Sequence, residues 1–201
     1  MHIEQEYFTD SAKHLVENHP CAKMAYLEIK ESICNMIGDI NNQKKNCNGV
    51  VPIKEGCYKT LEEKYGWYRE KPLSILVKQG KGGPIDVYKE FNYESGTFCV
   101  GLEFETGNIS SAHRSMNKLN LGIIVGELQL AVLMMPMHEL SYFLTDRVAN
   151  YEELRPYFSL VSQVPFIIIG FNAENFGEEY QFLSKGKDGM SDRAIHKWKE
   201  R

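Results

Sequence analysis

A mixed β-sheet with helices on both sides is the α/β fold that this sequence predicts, and three observations predict it. Leu128 to Met135 and Pro165 to Phe171 are almost uninterrupted apolar runs, as expected of central strands covered on both faces. Segments with apolar residues at helical spacing stand before and between them. Two alternating runs, Ile85 to Phe91 and Thr97 to Thr106, are joined by turn residues at Asn92 to Gly96 and read as a β-hairpin. No internal repeat or low-complexity tract disturbs that order. At 201 residues, 43% apolar and 25% charged, the chain suits one domain over 1-201 with a sizeable core.

Taken in order, Ala22, Tyr26, Ile29, Ile33 and Ile37 define a first amphipathic helix, and Ile53, Cys57, Leu61, Tyr65 and Tyr68 a second. Two helices are therefore expected before any strand. Gly38 to Val50, rich in Asn, Lys and Gly, is the loop between them, and Pro72 stops the second helix soon after Trp67 to Glu70. Lys81-Gly82-Gly83-Pro84 is the turn into the hairpin. Gly107 and Asn108 end its second strand, and Asn108, Ser110 and Ser111 supply capping side chains for a helix striped by Ile109, Ala112, Met116, Leu119 and Ile123. Pro136 suits the first turn of a helix burying Met137, Leu140, Phe143 and Leu144, while Pro156 limits any helix that begins near Tyr151. The tail from Lys185 to Arg201 carries six Lys or Arg against three acids and reads either as a short surface helix or as a basic arm over a polyanion.

Composition narrows the function classes. A net charge of −4 argues against a protein that coats nucleic acid through bulk positive charge, yet it leaves room for a local basic groove. The five cysteines, Cys21, Cys34, Cys47, Cys57 and Cys99, form no Cys-x-x-Cys pair, and the six histidines form no zinc spacing, so a reducing cytoplasm and no zinc site are expected. The N-terminus lacks the features of a secretory signal, and the longest apolar candidate, Leu119 to Pro136, is broken by Glu127 and Gln129. A soluble protein without membrane contact or protein cofactor is the expectation.

The chemistry lies in Asp86 and in Glu103-Phe104-Glu105. A strand sends residues i and i+2 to one face, so Glu103 and Glu105 share a surface, Phe104 turns into the core, and Asp86 on the neighbouring strand comes alongside. Three clustered acids repel one another unless a cation joins them. Oxygen-only ligation favours Mg²⁺, Mn²⁺ or Ca²⁺. Acid–aromatic–acid alternation also describes the solvent face of an ordinary half-buried strand, so the spacing alone leaves both readings open.

Longer runs carry a resemblance. Gly82 to Phe91 (GGPIDVYKEF), Glu103 to Leu119 (EFETGNISSAHRSMNKL) and Leu144 to Val148 (LTDRV) resemble the BamHI-type type II restriction endonucleases, as do Asn46 to Glu55, Trp67 to Leu73, Ile169 to Glu174 and Asp188 to Ser191. The likeness covers nearly the whole chain and extends to the smaller isoschizomer of that group. It implies a PD-(D/E)XK restriction-endonuclease-like core. It further implies a homodimer that cleaves double-stranded DNA at GGATCC by attack of water, leaving 5′-phosphate ends. Mg²⁺ would be the cofactor, with Mn²⁺ substituting and Ca²⁺ binding without supporting cleavage.

By the same resemblance Asp86, Glu103 and Glu70 would hold metal, with the Phe104 carbonyl as a further ligand. Glu105 stands where most of that superfamily has lysine, and either it orients or deprotonates the attacking water or it is a spectator of the metal site. Asn108, Ser110, Arg114, Asp146 and Arg147 match the recognition positions, and their types suit a major groove in which Arg pairs with guanine, Asn with adenine and an acid with cytosine. Asp188 and Gly189 match an arm that approaches the minor groove. Lys54, Lys81 and Lys118 would contact backbone phosphates or be simply solvated. At the expected dimer helices Ile124 and Val125 replace a basic pair, and Ser159 and Ser162 replace acids, so an apolar contact is expected there. A non-cleaving DNA-binding protein and a carboxylate-pair glycoside hydrolase are the rival readings.

Overall fold

The computed structural model describes residues 1–38, 50–78, 83–93, 96–141, 144 and 148–176. The loop after Gly38, most of the turn before Gly83, Asp146, Arg147, Asp188, Gly189 and the basic tail lie outside the described residues. Strands β1 (His2–Phe8), β2 (Tyr68–Lys71), β3 (Ile85–Tyr93), β4 (Gly96–Phe104), β5 (Leu130–Pro136) and β6 (Phe166–Asn172) form one sheet in the order β1-β6-β5-β4-β3-β2. The expected hairpin is β3 and β4, antiparallel with Val87 opposite Leu102, whereas β4, β5 and β6 run parallel. The sheet is therefore mixed.

Every residue of β5 and of β6 is buried, which is why both read as continuous apolar runs. Their side chains alternate between two cores. Leu130, Val132, Met134, Ile167 and Ile169 pack on one face with Ala22, Ile29 and Ile33 of α2 (Pro20–Cys34) and with Ile53 and Cys57 of α3 (Val50–Lys59). Ala131, Leu133, Met135 and Ile168 pack on the other with Ala112, Met116 and Leu119 of α5 (Ile109–Ile124) and with Tyr151, Leu154 and Phe158. Helices cover both faces, as the sequence predicts. The remaining helices are α1 (Asp10–Asn18), α4 (Ser74–Lys78), α6 (His138–Ser141) and α7 (Tyr151–Leu154), the last running into a 3₁₀ segment over Arg155–Val161. No helix among the described residues is long and apolar enough to cross a membrane.

The structure corrects the expected element order in three places. Strand β1 and helix α1 precede the two expected helices; β1 is a sheet edge whose seven residues include four exposed ones and no buried one, so it shows no strand periodicity. The second helix does not run to Pro72. It passes through a π-helical turn at Thr60–Lys64 and stops at Gly66, whose φ of +67° is a left-handed conformation that favours glycine, and the chain re-emerges as β2. Pro136 closes β5 rather than opening a helix, and a helix follows at His138–Ser141, the expected Phe143 lying outside the described residues.

The height of α5 above β4 is set by one side chain. A Cβ on Gly101 of β4 would come within 2.8 Å of Leu128 Cδ1, and a Cβ on Gly122 of α5 within 2.6 Å of the same atom. Leu128 is wedged between two glycines. Such contacts leave no slack, because protein interiors pack at crystal-like density.

Candidate active site

Asp86 and Glu103 meet at one end of the hairpin. The pairing of Val87 with Leu102 carries on to these two residues, and the Asp86 backbone N–H donates to Glu103 Oε1 at 3.1 Å. Asp86 is gripped from the α3 side of the sheet: Tyr58 Oη donates to Asp86 Oδ2 at 2.8 Å, and Lys54 Nζ lies 3.4 Å from the same oxygen. Burial, then the Asp86 charge, raises the Tyr58 phenol above its ordinary range, so it stays a donor. The Phe104 N–H also donates to Asp86 Oδ2, at 3.1 Å, while its ring packs on Phe171 with centroids 5.1 Å apart. Phe104 faces the core, as alternation predicts.

Glu103 and Glu105 are gripped from the α5 side. Glu103 is 4% exposed, and Lys118 Nζ sits 2.6 Å from its Oε1 while donating to the Pro84 carbonyl at 2.5 Å. Burial is the largest influence on the Glu103 carboxyl and Asp86 the next; together they outweigh Lys118 and push it up to about 7. Glu105 is 7% exposed and lies one residue past the end of β4, yet its N–H still bonds the Met134 carbonyl at 2.8 Å. Its Oε1 accepts from the Gly107 N–H at 2.5 Å and its Oε2 from Ser115 Oγ at 2.7 Å. A Cβ on Gly107 would lie 2.8 Å from that Oε1 and 2.9 Å from Ser111 Cβ, so the turn has room for glycine alone.

Glu70 stands at the rim. It is exposed in β2 and, at φ +58°, is the one non-glycine residue with positive φ among the described residues. The β2–β3 pairing passes from Arg69 opposite Val87 to Lys71 opposite Ile85, so Glu70 lies across from Asp86. Holding a side-chain-bearing residue in that conformation costs about 1 kcal/mol or more.

These groups line a groove of about 1140 Å³ whose walls include Lys54, Glu70, Asp86, Glu103, Glu105, Ser110, Arg114 and Lys118. The acids do not form a ready cage. Among the described residues no three His, Cys, Asp or Glu side chains are placed to hold one metal together. Asp86 and Glu103 form a close pair, whereas Glu105 is turned toward Ser115 and Gly107 and Glu70 remains outside. The close carboxylate pair Asp86 and Glu103 nonetheless suits Mg²⁺, which uses few protein ligands and keeps waters.

Of the expected base readers, Ser110 and Arg114 are exposed and line the groove. Asn108 caps α5, its Oδ1 accepting from the Ser111 N–H at 3.0 Å. Lys54 is ion-paired with Asp86 and Lys118 with Glu103, so neither is simply solvated. Sequence reasoning missed Tyr58 and Ser115 and gave Lys118 another role. A signal existed: Ser111, Ser115 and Lys118 fall at i, i+4 and i+7, a polar row along one side of the apolar stripe.

A family profile described as "Restriction endonuclease BamHI" matches residues 1–190. The chain belongs to that family. It is 56% identical to the type II restriction enzyme BamHI of Bacillus amyloliquefaciens over 209 aligned positions, which take in 100% of this chain and 98% of the relative. It is 36% identical to the type II restriction enzyme OkrAI of Oceanobacter kriegii over 157 positions, 76% of this chain and 78% of the relative. Within the BamHI family it is thus more similar to BamHI than to that smaller enzyme. A crystal structure of the restriction endonuclease BglII complexed with a DNA 16-mer superimposes with a TM-score of 0.61 at 16% identity, covering 90% of this chain and 80% of that one. The α/β fold is that of a restriction endonuclease.

Proposed function

We propose that this chain is a type II restriction endonuclease that acts as a Mg²⁺-dependent homodimer, hydrolysing one phosphodiester bond in each strand of GGATCC. The observation that carries the reading is the hydrogen-bonded pair Asp86 and Glu103, set beside the buried Glu105 in a groove walled by Ser110 and Arg114 of α5. Family membership and 56% identity to BamHI support the nuclease reading, and GGATCC is the target that the resemblance implies.

Asp86, Glu103 and the Phe104 carbonyl would hold the cation, and Glu70 would add a carboxylate from the rim. When bound, the ion supplies positive charge to the phosphate oxygens and makes a neighbouring water more acidic. Glu105 positions the attacking water and takes its proton, and its own orientation is fixed by Ser115 and Gly107. The water oxygen bonds to phosphorus as the bond to the 3′-oxygen breaks, and that oxygen departs with the bonding electrons and takes a proton from a solvent water, leaving a 5′-phosphate and a 3′-hydroxyl. Mn²⁺ substitutes for Mg²⁺, while Ca²⁺ binds without supporting cleavage.

Arg114 and Arg147 pair with the guanines, Asp146 with cytosine, and Ser110 and Asn108 complete the half-site, Asn108 through its amide nitrogen while its oxygen caps the helix. Lys54 adds a phosphate contact, and Asp188 and Gly189 approach the minor groove from the basic C-terminal arm. A palindrome calls for a two-fold protein. Ile124, Val125, Tyr157 and Leu160 are 67%, 37%, 44% and 62% exposed on the elements expected to face the second copy, which suits an apolar contact in place of a charged one.

The test is digestion of a DNA of known sequence with Mg²⁺, followed by mapping of the ends. Cuts confined to GGATCC with 5′-phosphates are expected. Binding to GGATCC with no cleavage would instead establish a non-cleaving DNA-binding protein.

A further inference from the structure

Lys118 has no place in the reaction just described, yet it makes the closest charged contact in the site. Its ammonium is 2.6 Å from Glu103 Oε1, both side chains are nearly buried at 13% and 5% exposure, and it makes a second bond to the Pro84 carbonyl. Three acids without a divalent ion need positive charge, because each buried carboxylate left unpaired is costly. Lys54 offers the corresponding contact to Asp86 at 3.4 Å, but with its side chain 28% exposed.

Resting on the metal-site reading above, we propose that Lys118 is a resident counter-ion: it occupies Glu103 until a divalent cation displaces it, and so sets the cation concentration at which the site loads. A charge 2.6 Å from a ligand oxygen competes directly with a cation for that oxygen. Lys118 is thus a positioning residue acting through Glu103. Its four-carbon stem lets the ammonium leave for solvent or for a DNA phosphate without moving α5.

The test is calorimetric titration with Ca²⁺ at pH 8.5, on wild-type protein without DNA and on Lys118→Met, Lys118→Arg and Lys54→Met. Lys118→Met is expected to bind Ca²⁺ about tenfold more tightly, although its metal-free form melts at lower temperature. Lys118→Arg should keep the wild-type affinity, and Lys54→Met should change it less, its contact being longer and wetter. A merely structural lysine would lower stability without tightening Ca²⁺ binding. Unchanged or weaker binding by folded Lys118→Met overturns the proposal. If Lys118→Met does not fold, Lys118→Gln replaces it in the same titration. The nuclease reading fails separately: tighter Ca²⁺ binding by Lys118→Met, together with wild-type protein that never cuts DNA, leaves the counter-ion standing.

Discussion

Glu103 and Glu105 lie two residues apart and are almost equally buried, but they meet different donors from α5 and the turn before it. Glu103 receives an ammonium from Lys118, and Glu105 receives a hydroxyl from Ser115 and a backbone N–H from Gly107. The donors are three residues apart on a helix and the acids two apart on a strand, so the two periodicities bring matched pairs face to face. The difference teaches that one carboxylate is neutralised and the other is aimed. A neutralised acid can exchange its cation; an aimed one keeps its direction while charge changes around it.

The largest expected effect separates the two roles. Glu105→Gln retains a hydrogen bond to Ser115 or Gly107 but cannot take a proton, and should slow single-turnover cleavage at saturating Mg²⁺ by about 10² to 10⁴-fold with little change in DNA affinity measured in Ca²⁺. Glu105→Lys should fail likewise. Full activity in Glu105→Lys would overturn Glu105 as a required base.

Next comes stability against pH for metal-free protein. The folded Glu103 carboxyl titrates near 7 against an ordinary 4.5, so the folded state holds the proton more tightly than the unfolded chain. Stability is then full below about 4.5 and declines as pH rises toward 7, by on the order of 3 kcal/mol. Urea unfolding in a chelator at several pH values measures it. Glu103→Gln should flatten the decline, and a decline that persists in that variant would assign it to other groups.

Ser115→Ala is the smallest change. It removes one hydrogen bond to a charged group, worth about 1.5–3 kcal/mol, part of which water restores. Cleavage should fall about tenfold in kcat with KM retained, and Ser115→Thr should recover it. A loss that appears in KM instead would place Ser115 in DNA binding rather than behind Glu105.

The same contrast between centre and edge explains what the sequence revealed. Strands β5 and β6, buried on both faces, and the β3–β4 hairpin were legible because burial leaves a pattern in residue type. Edges β1 and β2 were not: Tyr68-Arg69-Glu70-Lys71 is exposed throughout, and its pairing with β3 relies on backbone groups that carry no sequence signature. Glu70 was therefore reached by resemblance alone. In the site, the alternation of Glu103, Phe104 and Glu105 was readable, but Tyr58 was not, since a phenol beside an apolar helical stripe looks like core until Asp86 is found against it. Ser115 and Lys118 were visible as polar neighbours of a stripe, though not the carboxylates they serve.

Leu128, caught between Gly101 and Gly122, touches none of this chemistry but sets the clearance at which α5 presents Ser115 and Lys118. Adding a methyl group at either glycine must displace the Leu128 side chain or lift the helix, and lifting it by a few tenths of an ångström loosens both carboxylate contacts together. Substitutions here would yield folded protein with every acid in place and the donors out of reach, a loss of activity by volume rather than by chemistry.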